Sequence, residues 1–178
     1  MSSQIRNVTL KATGEGTAIM QLSWQYNTAN ATKEPSFKIR YDIDEGTVEN
    51  ILSLNVYISY LKEGASGMTV MEVTLPSGYV ADLEALDDVK KSGAKRVETK
   101  NENTVIVVYF DELTEEEKSL KILANRKVKL ADLKPVPIKV YDYYDTTKSA
   151  TVFYTPKQLS TCDICEGDDC GKSCKPGN

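Results

Sequence analysis

Apolar residues recur along this chain with a period of two. Leu52, Leu54, Val56, Ile58 and Tyr60 alternate with Ser53, Asn55, Tyr57 and Ser59. One side of that segment is greasy and the other wet, as in a strand of an antiparallel sheet with one covered face. Residues 105–110 form an unbroken apolar run, read as a strand buried on both faces. Val136, Ile138 and Val140 alternate again and lead into Tyr141-Asp142-Tyr143-Tyr144. There the alternation predicts Tyr141 and Tyr143 on one sheet face and Asp142 on the other. Further strands are expected at 5–12, 17–26, 36–43, 68–75, 95–99, 118–124 and 149–154, separated by polar turns such as Lys100-Asn101-Glu102-Asn103 and Asp145-Thr146-Thr147-Lys148. Many short strands at this spacing specify an all-β fold, an antiparallel sandwich or a barrel.

One segment departs from the alternation. Residues 82–91 are good helix formers, with Asp82 placed as an N-cap and Ser92-Gly93 as a stop. The expectation is one short helix over about 82–92 crossing between two strands, with Leu83, Leu86 and Val89 or Lys90 near one face.

The composition changes near Pro156, and all four cysteines lie beyond it. Cys162, Cys165, Cys170 and Cys174 sit in an acidic tail with no strand pattern. Two readings compete. Four thiolates can close a tetrahedral zinc site, but the loop is rich in Asp and Glu, and a second C-x2-C pair is missing. An even count within one short segment fits two disulfides, whose pairing the spacing does not choose. Disulfides are the reading adopted, with no metal site. The sequons Asn7-Val8-Thr9 and Asn30-Ala31-Thr32 point the same way, to secretion, and make Asn7 and Asn30 the glycosylation candidates.

Charge and residue types narrow the function. The formal net charge of −4 disfavours a phosphate backbone as partner, so no nucleic-acid role is expected. No apolar stretch is long enough to cross a bilayer, and the first residues, Met1-Ser2-Ser3-Gln4-Ile5-Arg6, do not read as a signal peptide. The chain is read as a piece of a larger secreted protein. It has no histidine, which removes the commonest general base and metal ligand. No carboxylate pair stands out as acid and base and no glycine-rich phosphate loop follows a strand, so no catalytic residue, cofactor or enzymatic activity is expected. Asp42 and Asp44 with Glu45 have calcium-binding chemistry, but they read first as a solvated hairpin turn.

Several segments in order resemble the receptor-binding domain that ends α2-macroglobulins and complement-like thioester proteins. They are Ala12-Thr13-Gly14-Glu15-Gly16-Thr17-Ala18 with Gln21 and Tyr26-Asn27; Met68-Thr69-Val70-Met71-Glu72-Val73 running to Ser77-Gly78-Tyr79; Val107-Val108-Tyr109-Phe110-Asp111-Glu112-Leu113; and Leu133-Lys134-Pro135 followed by Val140-Tyr141-Asp142-Tyr143-Tyr144. The last is the most specific. The acidic cysteine tail is similar to the ends of insect thioester proteins. The resemblance implies a β-sandwich with one crossing helix over residues 1–157 and a cysteine-rich tail over 158–178. It also implies a non-catalytic binding or packing domain in innate immunity, opsonin-like or protease-trapping. The implied partners are the parent's thioester domain, other extracellular proteins or a cell-surface receptor. The Cys–Gln thioester motif itself is absent, since every cysteine lies in the tail. In vertebrate members two lysines a turn apart on the crossing helix bind a lipoprotein-receptor-type endocytic receptor. The matching positions here are Leu83 and Asp87, neither basic, while Lys90 and Lys91 follow about a turn later.

Overall fold

The structure, a computed structural model, describes residues 34–44, 50–164 and Cys174, together with Thr9, Lys11 and Thr13. The chain divides into two units, Met1–Thr32 and Lys33–Asn178. The second unit holds the sandwich. The strands expected at 5–12 and 17–26 lie outside the described residues.

Alternation becomes two antiparallel sheets. β1 (Phe37–Ile43), β2 (Ile51–Tyr60), β7 (Lys118–Arg126) and β4 (Tyr79–Ala81) form a four-stranded sheet in the order β1-β2-β7-β4. β5 (Arg96–Lys100), β6 (Val105–Phe110), β3 (Thr69–Thr74), β8 (Val136–Asp142) and β9 (Ser149–Tyr154) form a five-stranded sheet in the order β5-β6-β3-β8-β9. The all-β sandwich expected from the pattern is the fold observed.

The register shows why the sheets stack. In the first sheet Leu54 lies opposite Ile122 and Val56 opposite Leu120. In the second Met71 lies between Val108 and Val140, and Val73 between Ile106 and Ile138. All ten are fully buried and belong to one core cluster. Fully burying such a side chain is worth ~1.5–3 kcal/mol against leaving it in water. Ring contacts close one flank, with Tyr41 against Tyr154 at 5.9 Å between centroids. The buried Tyr154 hydroxyl donates to the Thr74 carbonyl oxygen at 2.8 Å.

The other flank is bridged by α1 (Leu86–Lys91), which connects edge strand β4 of one sheet to edge strand β5 of the other. Val89 is buried and Leu86 packs against the core. The helix is shorter than expected, six residues rather than the whole of 82–92. Asp82 does not cap it. Its backbone N–H is tied to the Leu123 carbonyl of β7, and its carboxylate accepts from the N–H groups of Glu84 and Ala85 in a preceding turn. The helical N-cap is Ala85, with no side-chain bond. Leu83 therefore precedes the helix and is 57% exposed instead of sharing the buried face. The expected stop holds: Gly93 adopts a φ of 93°, a left-handed conformation suited to glycine.

β4 was not foreseen, being only three residues long. Its start needs Gly78, whose φ is 85° and where an added Cβ would meet the Val128 carbonyl oxygen at 2.5 Å. That carbonyl is close because the Gly78 oxygen accepts from the N–H groups of Lys127 and Val128 at 2.7 and 3.2 Å. The β5–β6 turn carries a different strain. Asn101, Glu102 and Asn103 have φ values of 52°, 55° and 66°. Asparagine tolerates that region and glutamate does so poorly.

These two positions make opposite predictions for thermal or urea unfolding. Gly78→Ala is expected to destabilise the chain by at least ~1–2 kcal/mol, the cost of a left-handed L-residue before the contact with Val128 is counted. Glu102→Gly is expected to stabilise it by up to ~1 kcal/mol, because the strain is relieved where no side chain is packed. A stabilised Gly78→Ala, or a Glu102→Gly that loses stability, would contradict this account.

Candidate interaction surfaces

The outward rows of the five-stranded sheet form a lattice of charged and aromatic side chains. Cross-strand register places Tyr109 opposite both Arg96 and Val70, and Val70 opposite Tyr141. One step along, Val107 lies opposite Glu98 and Glu72, and Glu72 opposite Lys139. Arg96 pairs with Glu98 and lies 5.6 Å from the centre of the Tyr109 ring. The Tyr109 hydroxyl donates to Glu98 at 2.7 Å, and the Tyr141 hydroxyl donates to Glu72 at 3.2 Å. Lys100 lies 3.5 Å from Glu72, and Lys139 sits 4.9 Å from the Tyr141 ring centre. Beneath this layer Val70 and Val107 are fully buried although they point away from the core. The hydrogen bond to Glu98, then burial, raises the Tyr109 phenol above its usual range. Burial and the Glu72 carboxylate push Tyr141 up to about 12. Every charge in these rows has a partner within the sheet, so the face is largely self-satisfied.

The rows end at a turn that holds two tyrosines in the open. Asp142 is 6% exposed and points away from Tyr141 and Tyr143. Its carboxylate oxygen accepts from the N–H groups of Tyr144 and Asp145, both at 2.9 Å, and Tyr143 N–H donates to the Met68 carbonyl at 2.8 Å. Tyr143 and Tyr144 pack edge to face at 5.1 Å and remain 48% and 81% exposed. Rigid, exposed tyrosines are the side chains most often found as anchors in protein interfaces.

The four helix candidates separate. Leu83 and Asp87, the positions that the resemblance aligns with a lysine pair, are both exposed, Leu83 in the turn and Asp87 in the helix. Lys90 is exposed. Lys91 is bonded to Asp88 at 2.8 Å, which raises its pKa. Leu83, Asp82, Glu84, Asn103, Asn125 and Lys127 line an open cleft of about 460 Å³. A second cleft, of about 300 Å³, lies between Glu34-Pro35-Ser36 and the β8–β9 turn.

In the tail, Cys162 and Cys174 are joined in a disulfide. Cys162 lies in the helical turn α2 (Thr161–Ile164). A cystine offers no thiolate, so these two cannot serve a four-thiolate zinc site in this state. Cys165, Cys170, Asn7, Asn30 and Glu45 lie outside the described residues. Asp42 accepts from Asn55 at 2.8 Å, and that bond, followed by one from Tyr57, holds its carboxyl below the usual range. Among the described residues no three His, Cys, Asp or Glu side chains gather as a metal site would need, and no helix is long and apolar enough to cross a membrane.

Sequence reasoning missed two features. The turn-capping role of Asp142 was hidden because burial is not visible in a string of tyrosines. The β7–β8 loop went unnoticed although Lys127-Val128-Lys129-Leu130 is a basic, apolar run in an acidic chain.

Residues 64–155 match a family model described as the A-macroglobulin receptor binding domain. Among curated proteins, three alleles of thioester-containing protein 1 from Anopheles gambiae are similar. R1 is 30% identical over 165 residues, S1 30% over 166 and S3 30% over 165. These matches cover 90%, 91% and 90% of this chain, and it spans 12% of the length of each relative.

The Tyr141 environment carries a pH prediction. Its folded pKa lies above the ordinary value of ~10, so the neutral phenol is favoured by folding. The stabilisation is complete below about pH 10 and is lost as pH rises through about 12. A phenolate absorbance titration should show a late step near pH 12 that is missing in Tyr141→Phe and moves lower in Glu72→Gln. A Tyr141→Phe protein whose titration loses only an ordinary step would refute the assignment.

Proposed function

We infer the role of this chain from the fact that it belongs to the A-macroglobulin receptor binding domain family. We read it as a non-catalytic binding and packing domain at the C-terminal end of a secreted, insect-type thioester-containing protein in innate immunity, opsonin-like or protease-trapping. The observation that carries this reading is the family match over residues 64–155, which span the region from β3 through α1 to β9. We assign residues 1–157 to the binding domain and 158–178 to its cysteine-rich tail. The partner is the thioester domain of the parent protein, covered in the resting state and released on proteolytic activation. Rigid presentation of Tyr143 and Tyr144 supports a contact role, and the absence of histidine from the whole sequence supports a role without acid–base chemistry. Asn7 and Asn30 carry the glycans of a secreted chain.

An endocytic-receptor ligand is the second reading. Lys90 and Lys91 are its residues, and it ranks lower because Leu83 and Asp87 replace the family's lysine pair.

The test is a binding measurement between this chain and its parent before and after proteolytic activation. Unequal binding is expected, with Tyr143→Ala and Tyr144→Ala each weakening it by about tenfold, a typical anchor loss. Equal binding to both states, or none to either, would remove the packing role.

The secreted reading also requires Cys165 and Cys170 to form the second bridge, nested inside Cys162–Cys174. Peptide mapping of the unreduced chain should find that pair. Free thiols at both positions in the secreted protein would count against an oxidised tail.

A further inference from the structure

The end of the sandwich that carries Tyr143 and Tyr144 joins three loops into one rigid surface. The Tyr143 N–H donates to the Met68 carbonyl, which ties the tyrosine turn to the β2–β3 connection. Gly67 of that connection lies so close to Asp142 that an added Cβ would meet the carboxylate at 3.2 Å. Ser66, in turn, is bonded to the N–H and the carbonyl of Leu113 in the β6–β7 connection, at 2.8 Å each. Lys95, just before β5, is bonded to Asp111, and Tyr144 is near enough to add to the rise in pKa that this bond causes. The β6–β7 connection is strongly acidic. Residues 111–117 carry five carboxylates and no cation, a net charge of −5 in a chain of net −4. Asp111 and Glu117 are paired with Lys95 and Arg40. Glu112, Glu115 and Glu116 are exposed and have no ion-pair partner among the described residues.

The sheets themselves show what rings and carboxylates hold together. Arg40 lies 4.8 Å from the centre of the Tyr57 ring and is bonded to Glu117, and Arg96 lies 5.6 Å from Tyr109 and is bonded to Glu98. A guanidinium meets both demands at once, because its charge is flat, delocalised and weakly hydrated. Tyr79 and Tyr141 also carry cations on their rings, Arg126 and Lys139, at 5.2 and 4.9 Å. Among the described residues no lysine or arginine lies over Tyr143 or Tyr144, whose ring contact is with each other. We propose that this end of the sandwich binds an arginine-bearing loop of a partner protein, with guanidinium groups on Tyr143 and Tyr144 and the acidic β6–β7 connection beside them. The proposal rests on the reading of these tyrosines as contact residues and adds the chemistry of what they meet. Charge complementarity selects the partner. An acidic loop would be repelled by Glu112, Glu115 and Glu116, and an apolar one would strip their water without pairing them. Lysine fits less well, since a compact, strongly hydrated ammonium cannot lie flat on a ring. The bonds between the loops set the surface before docking, which lowers the entropic cost.

The test uses the full oxidised chain and a short oligo-arginine peptide, with oligo-lysine and oligo-citrulline homologues. Binding is followed by fluorescence anisotropy and located by amide chemical shifts. The arginine peptide should bind several-fold tighter than the lysine peptide and far tighter than the uncharged citrulline one, with shifts gathered on 142–145 and 111–117. Tyr143→Leu/Tyr144→Leu keeps an apolar surface but removes both rings. It should weaken the arginine peptide by about tenfold and erase its advantage over lysine. Glu112→Gln/Glu115→Gln/Glu116→Gln should weaken both cationic peptides and flatten their salt dependence. An arginine peptide held no tighter than citrulline, or held equally well by the leucine variant, would overturn the proposal. The activated parent separates this from the contact role. If Tyr143→Ala and Tyr144→Ala weaken binding to the parent but the arginine peptide does not compete with it, the contact stands and its arginine chemistry falls. If neither the parent nor the peptide responds to the tyrosine changes, both fall.

Discussion

The face-to-face burial of two sheets is the constraint on which the other features depend. Leu54, Val56 and Ile58 on one side and Met71, Val73 and Ile138 on the other must all point inward at once. A slip of one residue in any pairing would turn a whole row outward. Register is therefore fixed throughout, and with it the position of every outward residue. Tyr109, Val70 and Tyr141 stand in one line because Met71, Val108 and Val140 stand in another.

The ends of the sandwich are fixed by polar bonds. The Ser66 hydroxyl accepts from the Leu113 N–H at 2.8 Å and lies 2.9 Å from the Thr69 hydroxyl, while Ser66 N–H donates to the Leu113 carbonyl. This buried cluster joins the β2–β3 and β6–β7 connections. A buried polar group left without its partner costs ~1–3 kcal/mol, so such clusters hold loops to a single arrangement. Asp142 does the same for the tyrosine turn. The outward aromatic surface is thus a product of inward polar chemistry.

How much of this was readable depended on how local the cause was. β6 coincides with the apolar run at 105–110, because six hydrophobic residues between polar turns leave few alternatives. The strands around 36–43, 68–75 and 149–154 were placed to within a residue of their ends for the same reason. β4 escaped because its pairing with β7, Val80 opposite Asn125, is a long-range event with only three residues of local signal. The helix was overextended because Asp82 has the right chemistry for a cap, yet its N–H is claimed by Leu123 of a distant strand. The surfaces were less legible than the fold. That Leu83 is exposed, that Asp142 is buried and that Cys162 meets Cys174 are facts of assembly.

The five-stranded sheet ends in β5, where Arg96, Glu98 and Lys100 follow one another on the outward side of a five-residue strand. An incoming strand from another molecule would have to bring its backbone alongside this charged, very short border. Such a border discourages copies of the chain from stitching their sheets together. At this edge, association is left to side chains, where selectivity can be tuned residue by residue, and is kept away from backbone pairing, which recognises almost any extended chain.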